Sequence, residues 1–509
     1  MVLDYVILAL YVLSMVAIAL YTRNRSKSVN DFLLAGKKGL NGWMTAFAYG
    51  TTYFSAVIFI GYAGKFGSQY QLAATWIGIG NAIIGSLVAW LVLAKRTKAM
   101  TTRLAAKTMP EFFEKRYGSK KLKLVSAVII FLFLIPYSAS VYNGLSSLFE
   151  TVFGIPGWAI MIALAIITAL YLFFGGYFAT ALSDFIQGII MLIGVVLMVI
   201  CFMNSKQVSW DISTLNWFTF GSEKTGIYGD TVSLVSLILL TSFGVWALPQ
   251  TIHKYYAVRD DKAIMQGTVV STLFALIIGF GAYFVGGLSH LFPEVSGTHS
   301  DYIVPQMLSI VIPMGLMGII AVLILSASMS TLSSVSLASA SVVAVDLYKG
   351  QINQKAEDKK VNTVMRVLCL IFIAISVVLA VLNEVYKISA IAYLMGLSWG
   401  TLAGCFIGPY VLGIMWKKVS TLAVWASIIS TLVLTFALIF VFGYDIANWN
   451  CPIGDAIKNG ISCSPLIGVI CMASSMIITF VVSLFTKSPS EEIVNSAFED
   501  KKAVETTAE

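Results

Sequence analysis

The stretch Ser326-Ala-Ser-Met-Ser-Thr-Leu-Ser-Ser-Val-Ser-Leu-Ala-Ser-Ala-Ser341 has Ser or Thr at nine of sixteen positions, yet lies inside an apolar run from Ile310 to Val345. Hydroxyls in a lipid-embedded helix must find partners, and polar groups at membrane depth mark pathways by default. Small side chains also let neighbouring backbones approach closely. On a helix, Ser330, Ser333, Ser334 and Leu337 share one face and Thr331 stands about 100° round. Neutral hydroxyl oxygens suit a hard cation such as sodium, so one helix can serve two adjoining sites. Taken alone, the run reads first as close helix packing with each hydroxyl bonded back to its own turn. The rest of the chain reverses that order.

The chain has 509 residues, 58% hydrophobic and 11% charged, with a mean hydropathy of +0.87. This is the composition of a polytopic membrane protein. Thirteen apolar runs are long enough to cross the bilayer, at about 4–22, 43–64, 72–94, 124–148, 157–176, 180–203, 231–252, 264–289, 305–345, 362–383, 388–414, 419–442 and 466–486. A short outer helix near Ile303 is expected to lead into the ninth. Asp4 precedes the first run and Arg23, Arg25 and Lys27 follow it, the reverse of a cleavable signal. The N-terminus is therefore placed outside. With that orientation 28 of the 33 Lys and Arg fall on the cytoplasmic side, and only Lys65, Lys206, Lys224, Lys387 and Lys458 fall outside. The asymmetry satisfies the positive-inside rule. It leaves no basic residue within a span and explains the net charge of +8 without nucleic acid. Trp210, Trp217 and Tyr228 read as an interfacial cap, and the acidic tail from Ser488 as solvated. Nothing resembles a soluble enzyme domain.

His253, His290 and His299 show no metal-ligand spacing. Cys201, Cys369, Cys405 and Cys471 read as small core residues. Cys451 and Cys463 bracket a polar loop and are candidates for a disulfide, with two free thiols as the alternative. Asp184 is the one acid placed well within a span. With no Lys or Arg at that depth, its expected partner is a proton, a sodium ion or interfacial water. The alternative is a helix-start acid that complements the dipole.

Two spans look interrupted, one at Ala48-Tyr-Gly-Thr-Thr-Tyr-Phe-Ser55 and one at Gly244-Val-Trp-Ala-Leu-Pro249. Paired interruptions five spans apart suggest two inverted repeats with a binding site at the midplane. These repeats are expected over 43–203 and 231–414, with one extra helix before them (4–22), two after (419–486) and a cytoplasmic tail (487–509).

Asp31-Phe-Leu-Leu-Ala-Gly-Lys37, Gly175-Gly-Tyr-Phe-Ala-Thr-Ala-Leu-Ser-Asp-Phe-Ile-Gln187, Met329-Ser-Thr-Leu-Ser-Ser334 and Pro409-Tyr-Val-Leu-Gly-Ile-Met-Trp416 together resemble the sodium/solute symporter family over nearly the whole chain. The resemblance implies an all-α fold of the leucine-transporter (LeuT) type and sodium-driven uptake of a small organic solute. It implies a sodium site from the carbonyls of Thr51, Phe54 and Ala327 with the hydroxyls of Ser330 and Thr331. It also implies a second site from Asp184, Ser330, Ser333 and Ser334. Tyr53 stands where proline permeases carry an acid. Thr241 and Val245 stand where Trp and Tyr are expected, which points away from proline itself.

Candidate solute contacts are Tyr53, Phe54, Gln69, Gln71, Asn81, Tyr137, Tyr142, Asn143, Trp246 and Tyr393. An amino acid, another carboxylate and a sugar all stay open, as does the oligomeric state. A proton-coupled carrier and a non-transporting solute sensor are the competing readings.

Overall fold

The computed structural model describes residues 2–22, 29–34, 39–218, 230–386, 390–446 and 449–499. Arg23, Arg25, Lys27, Lys37, Lys38, Lys224, Lys387, Lys501 and Lys502 of the charge pattern, Tyr228, and residues 35–37 of the first family motif lie outside the described residues. Among the described residues the regular structure is helical, apart from an isolated bridge between Leu40 and Val258.

Among the described residues eleven helices are long and apolar enough to cross a membrane. Two of them, Val57–Arg103 and Gly157–Met203, have 47 residues each. At 1.5 Å per residue that is roughly 70 Å, more than twice the hydrocarbon thickness. Each is folded. Gln71 turns the first at φ 54° and ψ −137°, and Gly176 turns the second at φ 62° and ψ −162°. The Gly176 conformation is essentially reserved for glycine, because any Cβ collides with the backbone there. Gly176→Ala is expected to destabilise the protein by about 1–3 kcal/mol, seen as a lower melting temperature in detergent. An unchanged melt would mean that the fold is not held at this residue.

Both interruptions are real. The first helix of the first broken span, Gly42–Tyr53, stops at Phe54 (φ −105°, ψ 105°) and helix resumes at Val57. In the second broken span, Asp230–Gly244 is followed by Pro249–Ala257, with Leu248 extended at ψ 124°. Pro249 has no N–H to offer and biases the preceding residue away from helix. The two broken spans meet at one end, where Leu40 N–H donates to Ala257 O at 2.9 Å and Arg259 N–H to Leu40 O at 3.1 Å.

The serine-rich helix, Met317–Ser341, is almost wholly buried. It packs against Val2–Thr22, Gly42–Tyr53, Lys120–Phe153, Gly157–Met203 and Asp358–Tyr386. Its N-terminus is held by Asp4, whose Oδ1 accepts from Gly315 N–H at 3.1 Å and Gly318 N–H at 2.7 Å. A carboxylate there satisfies open amides and meets the positive end of the helix dipole. The short outer helix expected near Ile303 is Ser300–Val311, and the serine-rich helix itself starts at Met317 rather than 305.

Of the two readings left open for the loop cysteines the structure has the second, and the expectation for the tail changes. Cys451 and Cys463 are free thiols. The helix Ile453–Ser462 lies between them and is about 15 Å long, too far for a disulfide. The tail is not wholly solvated. Its helix Glu491–Phe498 docks with Ala497 buried and Phe498 under the Arg116 guanidinium at 5.0 Å. Arg116 is itself buried and donates to the carbonyls of Gly413, Trp416 and Lys417, the open C-terminal end of a neighbouring helix.

Candidate sodium and solute site

The end of helix Gly42–Tyr53 leaves its last carbonyls without helical partners. Thr51 O is one of these, and the serine-rich helix reaches it. Ser330 Oγ donates to Thr51 O at 3.1 Å and Thr331 Oγ1 does so at 3.2 Å. Ser330 Oγ also lies 2.9 Å from Ser326 O and 3.3 Å from Ala327 O. Of the groups named for the first sodium site, Ser330 Oγ thus reaches both the Thr51 and Ala327 carbonyls, and Thr331 Oγ1 reaches that of Thr51. Phe54, the fifth residue, is the one that leaves the helix. All these oxygens are neutral, with no imidazole or thiolate among them. That donor set fits a hard monovalent cation rather than a transition metal.

The second expected site is arranged differently. Asp184 is fully buried, and its neighbour is a lysine. Lys254 Nζ lies 3.6 Å from Asp184 Oδ2, with both side chains at most 1% exposed. It also donates to Ser334 Oγ at 2.9 Å. The expectation that no basic residue sits at this depth is therefore corrected. Hydropathy ends the span at Ile252 and assigns Lys254 to a loop. Because the span is broken, its second arm Pro249–Ala257 stays in the bundle and turns Lys254 inward. Of the four residues expected for this site, Asp184 and Ser334 meet through Lys254. Ser330 faces Thr51 instead, and Ser333 Oγ returns to Ser330 O at 2.9 Å.

The solute candidates divide. Tyr53 and Tyr137 both face Trp399, at ring separations of 6.1 and 5.6 Å, and Phe54 packs on Tyr53 at 4.4 Å. This aromatic box is buried beside the first sodium site. The buried Tyr137 hydroxyl has Ser55, Thr331 and Trp399 as polar neighbours. Tyr53 donates to Thr241 O at 2.8 Å, linking the two broken spans.

The other candidates lie elsewhere. Gln71 is a turn residue whose Oε1 accepts from Asn216 N–H. Gln69 and Tyr393 line a cavity of about 380 Å³. Asn143 binds Ala380 O and Asn383 at the edge of a cavity of about 390 Å³ that also touches Asp301 and Lys458. Trp246 donates to Ile84 O and faces an apolar lateral cavity. Tyr142 is buried near Tyr171. Asn81 Oδ1 accepts from Thr241 and Ser242. Trp399 was missed: a tryptophan in an apolar run reads as belt, and its partners are far away in sequence.

The model of the sodium:solute symporter family matches residues 32–430. The chain belongs to this family. The symporter is 29% identical over 425 residues to the osmoregulated proline transporter OpuE of Bacillus subtilis (strain 168), covering 81% of this chain and 84% of that protein. It is 28% identical over 417 residues to the sodium/pantothenate symporter of Haemophilus influenzae, covering 79% and 84%. Its fold is similar to that of a sodium-coupled sialic acid symporter in a substrate-bound outward-open state, with a TM-score of 0.73 at 17% identity over 96% of this chain and 98% of that one. The symporter is thus a multi-pass, LeuT-type membrane carrier that couples sodium to a small solute.

Proposed function

We propose that this symporter imports a small carboxylate-bearing solute through the Tyr53–Phe54–Tyr137–Trp399 box, with sodium bound at Thr51, Phe54, Ala327, Ser330 and Thr331. The observation that carries the reading is the convergence of Ser330 Oγ and Thr331 Oγ1 on Thr51 O where the first broken span ends. A sodium ion there would draw the broken span against the serine-rich helix. Thr331 also neighbours the Tyr137 hydroxyl, so ion and solute would share a wall. A carboxylate is favoured by the positive N-terminal end of the helix arm that begins at Val57. Proline, pantothenate and sialic acid, the solutes named for the relatives, all carry one.

Taking each folded 47-residue helix as two crossings gives thirteen, with the N-terminus outside and repeats over 43–203 and 231–414. In that orientation the cavities of about 390 and 380 Å³ open outward. On the cytoplasmic side, a cavity of about 10 Å³ lies by His253 and Tyr256.

The test is uptake into proteoliposomes of proline, pantothenate, sialic acid and a neutral sugar, with and without an inward sodium gradient. Sodium-dependent accumulation of a carboxylate is expected. Tyr137→Phe, which removes one hydroxyl, is expected to raise that solute's KM about tenfold. Accumulation of the sugar alone, or an unchanged KM in Tyr137→Phe, would count against the assignment.

A further inference from the structure

We infer that Lys254 is a tethered cation that takes the place of a second sodium ion, so that this symporter binds one sodium ion per chain. The inference rests on the reading of the first sodium site given above, and it concerns the pair of oxygens expected to hold the second.

The ammonium has three neighbours, one held by a hydrogen bond and one by an ion pair, and among the described residues the Asp184 oxygens have no hydrogen-bond donor, so the lysine meets the carboxylate by charge alone. It donates to Ser334 Oγ at 2.9 Å. It faces the Asp184 carboxylate, 3.6 Å away. The third side of the ammonium lies over the Tyr177 ring, at 5.2 Å from its centroid, where the ring's negative face favours a cation. Among the described residues Lys254 pairs with no other acid. One buried carboxylate is therefore matched by one buried ammonium. A sodium ion added at the same oxygens would place two positive charges against a single negative one, in a site closed to water.

The hydrogen-bond order supports a fixed occupant. Thr52 Oγ1 donates to Ala48 O at 2.6 Å, so it can only accept from Ser334, 2.9 Å away. Ser334 has then used its hydrogen and receives Lys254 on a lone pair. The relay runs Lys254 to Ser334 to Thr52 to Ala48, from the second broken span through the serine-rich helix to the first. These elements include both that frame the sodium site one helical turn away, at Ser330 and Thr51. The ammonium thus performs the bridging that a second ion would perform, without having to be bound and released.

The experiment is equilibrium binding of radioactive sodium to the purified full-length protein in detergent, with choline as the balancing cation and no solute present. Wild type is expected to bind one ion per chain. Lys254→Met should bind two, the new ion meeting Asp184 and Ser334. Lys254→Met with Asp184→Asn should return to one, and this neutral pair also serves if the single variant does not fold. At a sodium concentration that just saturates wild type, Thr331→Ala should lose most of the bound ion, while Thr331→Ala with Lys254→Met should keep one. Two ions in the wild type, or no gain on removing Lys254, would overturn the inference. Loss of the first-site reading looks different: Thr331→Ala would then bind as wild type does, whereas the step between wild type and Lys254→Met would still judge the lysine.

Discussion

Ser330→Ala is expected to raise the sodium concentration for half-maximal uptake at least tenfold, with solute accumulation falling accordingly at a fixed sodium gradient. The hydroxyl is one of two that converge on Thr51 O, and it also reaches Ala327 O. A hydrogen-bonding group that meets a charge contributes about 1.5–3 kcal/mol, which corresponds to roughly ten- to a hundredfold in affinity. Because the coupling between ion and solute is reciprocal, the solute affinity should weaken by the same factor when sodium is subsaturating. Thr331→Ala should act in the same direction through the same carbonyl. Ser330→Cys keeps the size but supplies a poor ligand for sodium, and should resemble the alanine variant. If sodium half-saturation stays within twofold in all three, the hydroxyls are helix packing and the ion lies elsewhere.

The parts of this architecture that were legible beforehand are those carried by local sequence. Long apolar runs announce membrane helices, and Gly244 with Pro249 announces a break, because glycine and proline act on the backbone where they stand. The hydroxyl face of Ser330 and Thr331 follows from helical period alone. Lys254 was hidden because hydropathy assigns a charge just past an apolar run to water. Only the path of the broken span shows that this arm stays buried, with Asp184 as a neighbour 70 residues earlier in the chain. Trp399 was hidden for a related reason. Its contacts with Tyr53 and Tyr137 are made across the bundle, and nothing in its own segment separates it from an interfacial tryptophan. For the same reason, residue type and span alone do not separate solute contacts from packing residues. Gln71, Asn143 and Trp246 are polar or aromatic in or beside the right spans, but each is committed to a backbone group elsewhere. The docked tail helix belongs with them, since Phe498 gains its place from Arg116 and Lys417 on other segments.

Asp184→Asn is expected to have the largest effect on stability. The substitution keeps the side chain's size but leaves the Lys254 ammonium in a site less than 2% exposed with no counter-charge. Removing one member of a buried ion pair costs about 3–5 kcal/mol, because the remaining charge keeps its desolvation penalty and loses its compensation. The loss should appear as a markedly lower melting temperature in detergent and a smaller folded yield. Adding sodium should not repair it, since the variant lacks a negative charge rather than a cation. Lys254→Met added to Asp184→Asn removes the stranded charge, and should recover most of the stability although two polar partners have been lost. The two substitutions together should therefore cost far less than the sum of each alone, the signature of direct coupling. Additive losses would mean that Asp184 and Lys254 do not meet in the folded protein. A wild-type melt for Asp184→Asn would mean that the lysine reaches water, and the second cation site would then be open to sodium.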